Sequence, residues 1–167
     1  MSCLGVHFAL SPADRERVLD ARDQAALKAL VQEDIEERYL GDEPGWAYQT
    51  DKAWDAIHRC LTDGTLDPDS GSHPLNLCVL GGTHLYSKDD YIICFVEPGE
   101  AREIAVALKG VTKDALRANY YRIDPSDYGL PLSEEDFEYT WAYFEGLRVF
   151  FEKAAGDGRA VLFTADQ

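Results

Sequence analysis

Tyr91-Ile92-Ile93-Cys94-Phe95-Val96, followed at once by Glu97-Pro98-Gly99-Glu100, decides the fold class. The first six residues carry no charge and, apart from Cys94, are β-branched or aromatic, the composition of a strand buried on both faces. The next four hold a proline and two acids. Proline has no N–H to leave unpaired in a first helical turn, and carboxylates suit the positive end of a helix dipole. A strand that passes directly into a helix, with the stripe Ile104, Ala105 and Leu108 behind it, predicts a sheet layered with helices.

Working outward, residues 83–86 can pair with this strand across residues 87–90. Residues 3–10 read as an interior strand and residues 159–165 as a closing one. The expected architecture is therefore one α/β domain over residues 1–167, with a small mixed central sheet flanked by helices and strands at about 3–9, 91–96 and 159–165.

Ser11-Pro12 with Asp14 predicts a first helix to about residue 20, and Asp23 caps a second over 24–40 with the stripe Leu27, Leu30, Val31, Ile35 and Leu40. The loop 41–45 ends it. Thr50 is the expected cap of a helix over 51–61, which Gly64 closes. Residues 65–74 are a loop by composition, 75–80 a short helix or strand, and Gly81-Gly82 a break. Thr112 caps a helix to about residue 122. Ser133 opens the longest helix, 134–155, with Leu132 and Phe137 as a hydrophobic staple and Asp136 where a capping-box acid reaches back.

At 167 residues and 46% apolar composition the chain can build a core of its own. Acids outnumber bases 31 to 16, for a net charge of −15, which argues against binding a phosphate backbone and permits a basic protein partner, though it equally serves solubility. No apolar run approaches the roughly 18 residues of a membrane span, and residues 1–10 show no signal-peptide pattern, so a cytoplasmic protein that engages neither nucleic acid nor membrane is expected. Cys3, Cys60, Cys78 and Cys94 are scattered without a C-x-x-C pair, as reduced buried thiols are.

The densest chemistry lies at Asp51, Asp55 and His58, spaced i, i+4 and i+7 on the expected helix beside Lys52 and Trp54. A carboxylate next to an imidazole can do acid–base work near neutral pH. The same residues equally suit packing, with His58 on Trp54, Asp51 at the helix start and Asp55 paired with Arg59. His73, Cys78 and His84 match no zinc pattern, and Gly81-Gly82-Thr83 lacks the partners of a phosphate loop. No nucleophile elbow, S-x-x-K or H-E-x-x-H is present, so neither a catalytic constellation nor a cofactor is expected. On the long helix Phe137, Trp141, Phe144 and Phe151 form a core stripe, while Tyr139, Tyr143 and Phe150 would form an interaction patch if exposed.

The run Asp51-Lys52-Ala53-Trp54-Asp55-Ala56-Ile57-His58, with Leu61-Thr62 and Gly64, resembles the signature of the YfbM-like family, domain-of-unknown-function family 1877. Gly5-x-x-Phe8 with Leu10-Ser11, Pro74-Leu75 leading to Leu80-Gly81-Gly82, and Ile104-Ala105 to Leu108 are similar to further segments of that family. Where the family carries a Gly-Tyr-Gly-Pro-like lead-in, this chain has Asp90-Tyr91-Ile92-Ile93-Cys94. The resemblance implies a layered α/β fold and a shared role for Asp51, Lys52, Trp54 and His58, and it supplies no activity. The sequence thus points to a non-enzymatic accessory or interaction protein for a basic partner, contacted through acids near 33–37 and 134–138. The alternative is a small-molecule-binding protein or enzyme using the helix with Asp51 and His58.

Overall fold

Residues 3–42 and 44–166 are described by the computed structural model, so Glu43, in the expected loop after the second helix, lies outside the described residues. Strands β1 (Leu4–Leu10), β2 (Ala47–Asp51), β3 (Thr83–Lys88), β4 (Tyr91–Val96) and β5 (Ala160–Asp166) form one sheet in the order β2-β1-β5-β4-β3. The α/β class stands, but every pairing is antiparallel and the sheet is not mixed. Alternation of strands with helices does not fix direction, because a connection made of several helices can return the chain at either end of the sheet. The β3–β4 hairpin closes through Asp89 and Asp90, at φ 53° and 58°. Two consecutive left-handed residues suit a tight hairpin turn, and Asp tolerates that region better than most side chains.

Period-two alternation in β4 feeds both layers of the core. Tyr91, Ile93 and Phe95 join Phe8, Leu10 and Leu162 against α1 (Pro12–Leu19), α2 (Gln24–Leu30) and α3 (Glu36–Leu40). Cys94 and Val96 join Val161 and Phe163 against α4 (Ala53–Leu61), α5 (Pro98–Lys109), α6 (Lys113–Tyr120) and α8 (Glu134–Gly156). The short α7 is Pro125–Tyr128. Ser11, Asp23, Thr112 and Ser133 cap their helices through side-chain oxygens, as the sequence predicts. Residues 24–40 are helical throughout, with a π-turn at Val31–Ile35 inside them. Residues 75–78 make a 3₁₀ turn.

The expected cap at Thr50 is overturned. Thr50 lies in β2, fully buried, and its hydroxyl donates to the Gly5 carbonyl at 3.0 Å. Asp51 ends that strand at φ 48°, and Lys52 precedes α4. The chain thus turns from strand to helix within two residues. Trp54, 2% exposed, lies over the start of β1 and donates from Nε1 to the Cys3 carbonyl at 3.0 Å. A Cβ on Gly5 would stand 2.6 Å from Trp54 Cδ1, so glycine there makes room for the indole. Two of the sequence segments that carry the family resemblance are one contact in space.

On the opposite layer, Asp14 is 4% exposed and takes hydrogen bonds from Arg38 (2.8 Å), Tyr39 (2.8 Å), Arg17 (2.9 Å) and Ser11 (3.0 Å). Burial alone would raise its pKa, but the bonds from Arg38, Tyr39, Ser11 and Arg17 outweigh it and hold the carboxyl below its ordinary value.

Candidate functional site

Beyond the ends of β1 and β2, the start of α4 and the first turns of α8 leave an open cleft of about 600 Å³. Lys52, Trp54 and Asp55 line it from the α4 side, Asp136 and Tyr139 from α8, Tyr128 from the end of α7, and Leu66 and Asp90 from loops. Three of these side chains are carboxylates and one is an ammonium.

Each wall is fixed by bonds that reach across elements. The Tyr139 hydroxyl donates to Asp51 Oδ2 at 2.8 Å and accepts from the Lys52 backbone N–H at 3.3 Å, tying α8 to the strand–helix junction. Burial, then the Asp51 carboxylate, pushes the Tyr139 phenol up to about 12. Asp136 Oδ2 accepts from Tyr120 at 2.6 Å and from Tyr128 at 2.9 Å. Its side chain holds two tyrosines and does not reach back as a capping-box acid; an aspartate is one methylene shorter than the glutamate that motif prefers. Burial and the Asp136 carboxylate both raise the Tyr128 phenol, which stays a donor at neutral pH. Asp55 accepts from Arg59 Nε at 2.6 Å, and Arg59, 3% exposed, also reaches Asp127 at 2.5 Å. Burial raises the Asp55 pKa, against the lowering by Arg59.

The residues singled out in the sequence separate in space. Lys52, Trp54, Asp55 and Tyr139 line the cleft, and Asp51 braces it from behind through Tyr139. His58 is not among the lining residues: it is 1% exposed and its Nε2 meets the Asp67 carbonyl at 3.0 Å. Burial lowers its pKa, against the raising effect of that carbonyl. Tyr143 is half-buried and Phe150 is buried at 6% exposure, where it packs near His7 and Tyr48. Among the acids expected as contacts, Glu134 and Glu138 already pair with Arg117 and Lys113, and Asp34 with Arg17 and Arg38. Asp90, Tyr128, Leu66 and the cleft role of Asp136 carry no local sequence signal, because tertiary closure alone brings them together.

His73 pairs with Glu103, His84 Nε2 meets the Leu80 carbonyl at 2.6 Å, and Cys78 is met through its carbonyl. Among the described residues no group of three His, Cys, Asp or Glu side chains is placed to hold a metal ion. Cys60, Cys78 and Cys94 are buried free thiols and Cys3 is half-buried; burial pushes Cys60 and Cys94 up to about 12. Thiols so placed are protonated and poor nucleophiles. Among the described residues no helix is long and apolar enough to cross a membrane.

Fold and cleft together define a layered α/β domain with an acid-lined opening at one end of its sheet. Residues 1–164 match the family described as Domain of unknown function (DUF1877), and the chain belongs to it. The solved structure described as a protein of unknown function, YfbM from Escherichia coli, is 21% identical, with 97% of this chain and 99% of that one covered at a TM-score of 0.63. That likeness extends to the fold. No curated protein matches the sequence.

Proposed function

We propose that the domain is a non-enzymatic accessory or interaction protein that receives a basic protein partner, with a cationic side chain of that partner entering the cleft beside α4. The observation that carries this reading is the lining itself: Asp55, Asp90 and Asp136 face the opening against the single ammonium of Lys52, with Tyr128 and Tyr139 as walls. A guanidinium or ammonium gains charge-assisted hydrogen bonds from carboxylates and attraction to the faces of tyrosine rings. The net charge of −15 adds long-range steering of basic chains.

A short oligoarginine peptide tests the reading by fluorescence anisotropy. Affinity is expected to fall between about 50 mM and about 300 mM salt as the Debye length shortens. Asp90→Asn is expected to weaken binding severalfold, and Glu33→Gln, on an exposed helix surface away from the cleft, to leave it nearly unchanged. Salt-independent binding, or equal losses in the two variants, sinks the reading.

A second reading is a small cationic molecule in the same cleft, whose volume falls within the roughly 300–1,000 Å³ of ligand pockets. Free arginine competing with the peptide at micromolar concentration would favour it.

A further inference from the structure

The chain has four histidines, and each of them fastens one stretch, residues 62–82, which runs from the end of α4 to β3. His58, in the last turn of α4, meets the Asp67 carbonyl at 3.0 Å. His7, in the middle of β1, meets the Cys78 carbonyl at 2.9 Å. His84, on β3, meets the Leu80 carbonyl at 2.6 Å, and His73, within the stretch, pairs with Glu103 on α5. The stretch itself has little regular structure beyond the turn Leu75–Cys78.

A carbonyl only accepts, so the ring nitrogen facing it carries the proton and donates. For neutral His7 this leaves Nδ1 as a bare lone pair. That atom is buried without a partner, and the ring is fully inaccessible. His7 lines a small cavity of about 10 Å³ with Cys78, Cys94, Phe151 and Phe163.

We propose that residues 62–82 form an acid-released strap, held down at neutral pH by the uncharged rings of His7 and His58 and let go when those rings take up protons.

The groups around each ring explain the direction. His7 faces Phe150, Phe151 and Phe163, with ring centroids at 6.0, 5.7 and 4.7 Å, and shares its cavity with Cys78 and Cys94. No carboxylate stands among these groups, so a proton on Nδ1 in the closed state would be a buried charge without a counter-ion. Burial accordingly lowers the His7 pKa to about 4, against a small raising effect of the Cys78 carbonyl. Around His58, burial again dominates and lowers the pKa; Asp55 and Asp63 favour the charged ring and Arg59 opposes it. Both rings regain an ordinary histidine pKa once the strap lifts and water reaches them. The open form then binds more protons than the closed form between about pH 6.5 and about pH 4, so opening increases as pH falls through that window and levels off below it. His84 donates to its carbonyl whether neutral or charged. His73, exposed beside Glu103, gains attraction when charged. Release therefore depends on His7 and His58. Leu66, on the strap, is a wall of the cleft, so lifting the strap also opens the site.

Hydrogen exchange of the whole protein between about pH 7.5 and about pH 5, corrected for intrinsic rates, tests the strap without reference to any partner. The Gly64 amide, bonded to the Arg59 carbonyl of α4, reports the strap's attachment, and those of Ser70, Asn76, Leu77 and Gly81, bonded to carbonyls within the strap, report its unfolding on release. Their opening equilibrium is expected to rise by roughly 25-fold from His7 alone, and further with His58, while β4 and β5 amides keep their protection. No rise, or a rise shared equally by β4 and β5, overturns the proposal. His7→Gln is expected to flatten the response. Should that variant fail to fold, the ring resonances of His7 followed by NMR in the unaltered protein decide. A midpoint at the ordinary histidine value with unchanged strap exchange overturns the proposal, and proton uptake that tracks strap opening supports it.

Discussion

Two groups of carboxylates on opposite layers of the sheet behave in opposite ways. Asp14 is buried and met by two guanidiniums and two hydroxyls. At the cleft, neither Asp90 nor Asp136 pairs with a cation among the described residues, Asp55 shares Arg59 with Asp127, and Lys52 is the one base in the lining. The excess negative charge of this chain is thus unevenly distributed. Where acids hold the fold together they are saturated, and where they line an opening they are left underpaired. Saturated acids stabilise; underpaired acids keep acceptor positions open.

The sharpest way to break this comparison is Asp14→Ala. It removes the acceptor that Tyr39 shares with Arg17 and Arg38, the two arginines keeping Asp34, and is expected to cost about 2 kcal/mol, read by urea unfolding. A loss well under about 1 kcal/mol would place the two groups on the same footing. Acid acts in the same sense. Because its folded pKa is lowered, the Asp14 contribution is complete above the ordinary carboxylate range and disappears as pH falls through the lowered value. An intermediate effect is expected from Tyr128→Phe, which removes one of the two donors to Asp136 and should cost about 1 kcal/mol. The smallest is Asp90→Asn, exposed on the β3–β4 turn, which should stay within about 0.5 kcal/mol of the parent in stability while losing affinity for the oligoarginine peptide. Stability lost in step with affinity at Asp90 would erase the distinction.

The same contrast separates what the sequence disclosed from what it hid. Strands β1, β4 and β5 are buried on both sides, so their apolar runs are continuous and readable. Strand β2, Ala47-Tyr48-Gln49-Thr50-Asp51, is a polar edge strand, and its last residues imitate a helix start, so the sequence predicts a helix from Asp51. Only the left-handed backbone of Asp51, invisible in one dimension, separates strand from helix. The π-turn at Val31–Ile35 was equally hidden, since Val31 and Ile35 keep the apolar stripe that an α-helix would show. At the cleft, Lys52, Trp54, Asp55 and Tyr139 were legible as notable side chains, but the spacing of Asp51, Asp55 and His58 suggested one face. Asp51 precedes the helix, and His58 is turned toward the loop at Asp67. Helical spacing describes neighbours on a cylinder and says nothing about what packs over them.

The position of β5 between β1 and β4 has a further consequence for how the molecule is made. Before residues 160–166 arrive, the sheet exists only as two separate ribbons, β1 with β2 and β3 with β4. Each shows the nascent chain's surroundings an unpaired inner edge flanked by apolar side chains, the kind of edge to which foreign strands adhere. Both ribbons must therefore wait for residues 160–166 before the sheet can be zipped together. Until then, two apolar edges stand open that the finished sheet hides.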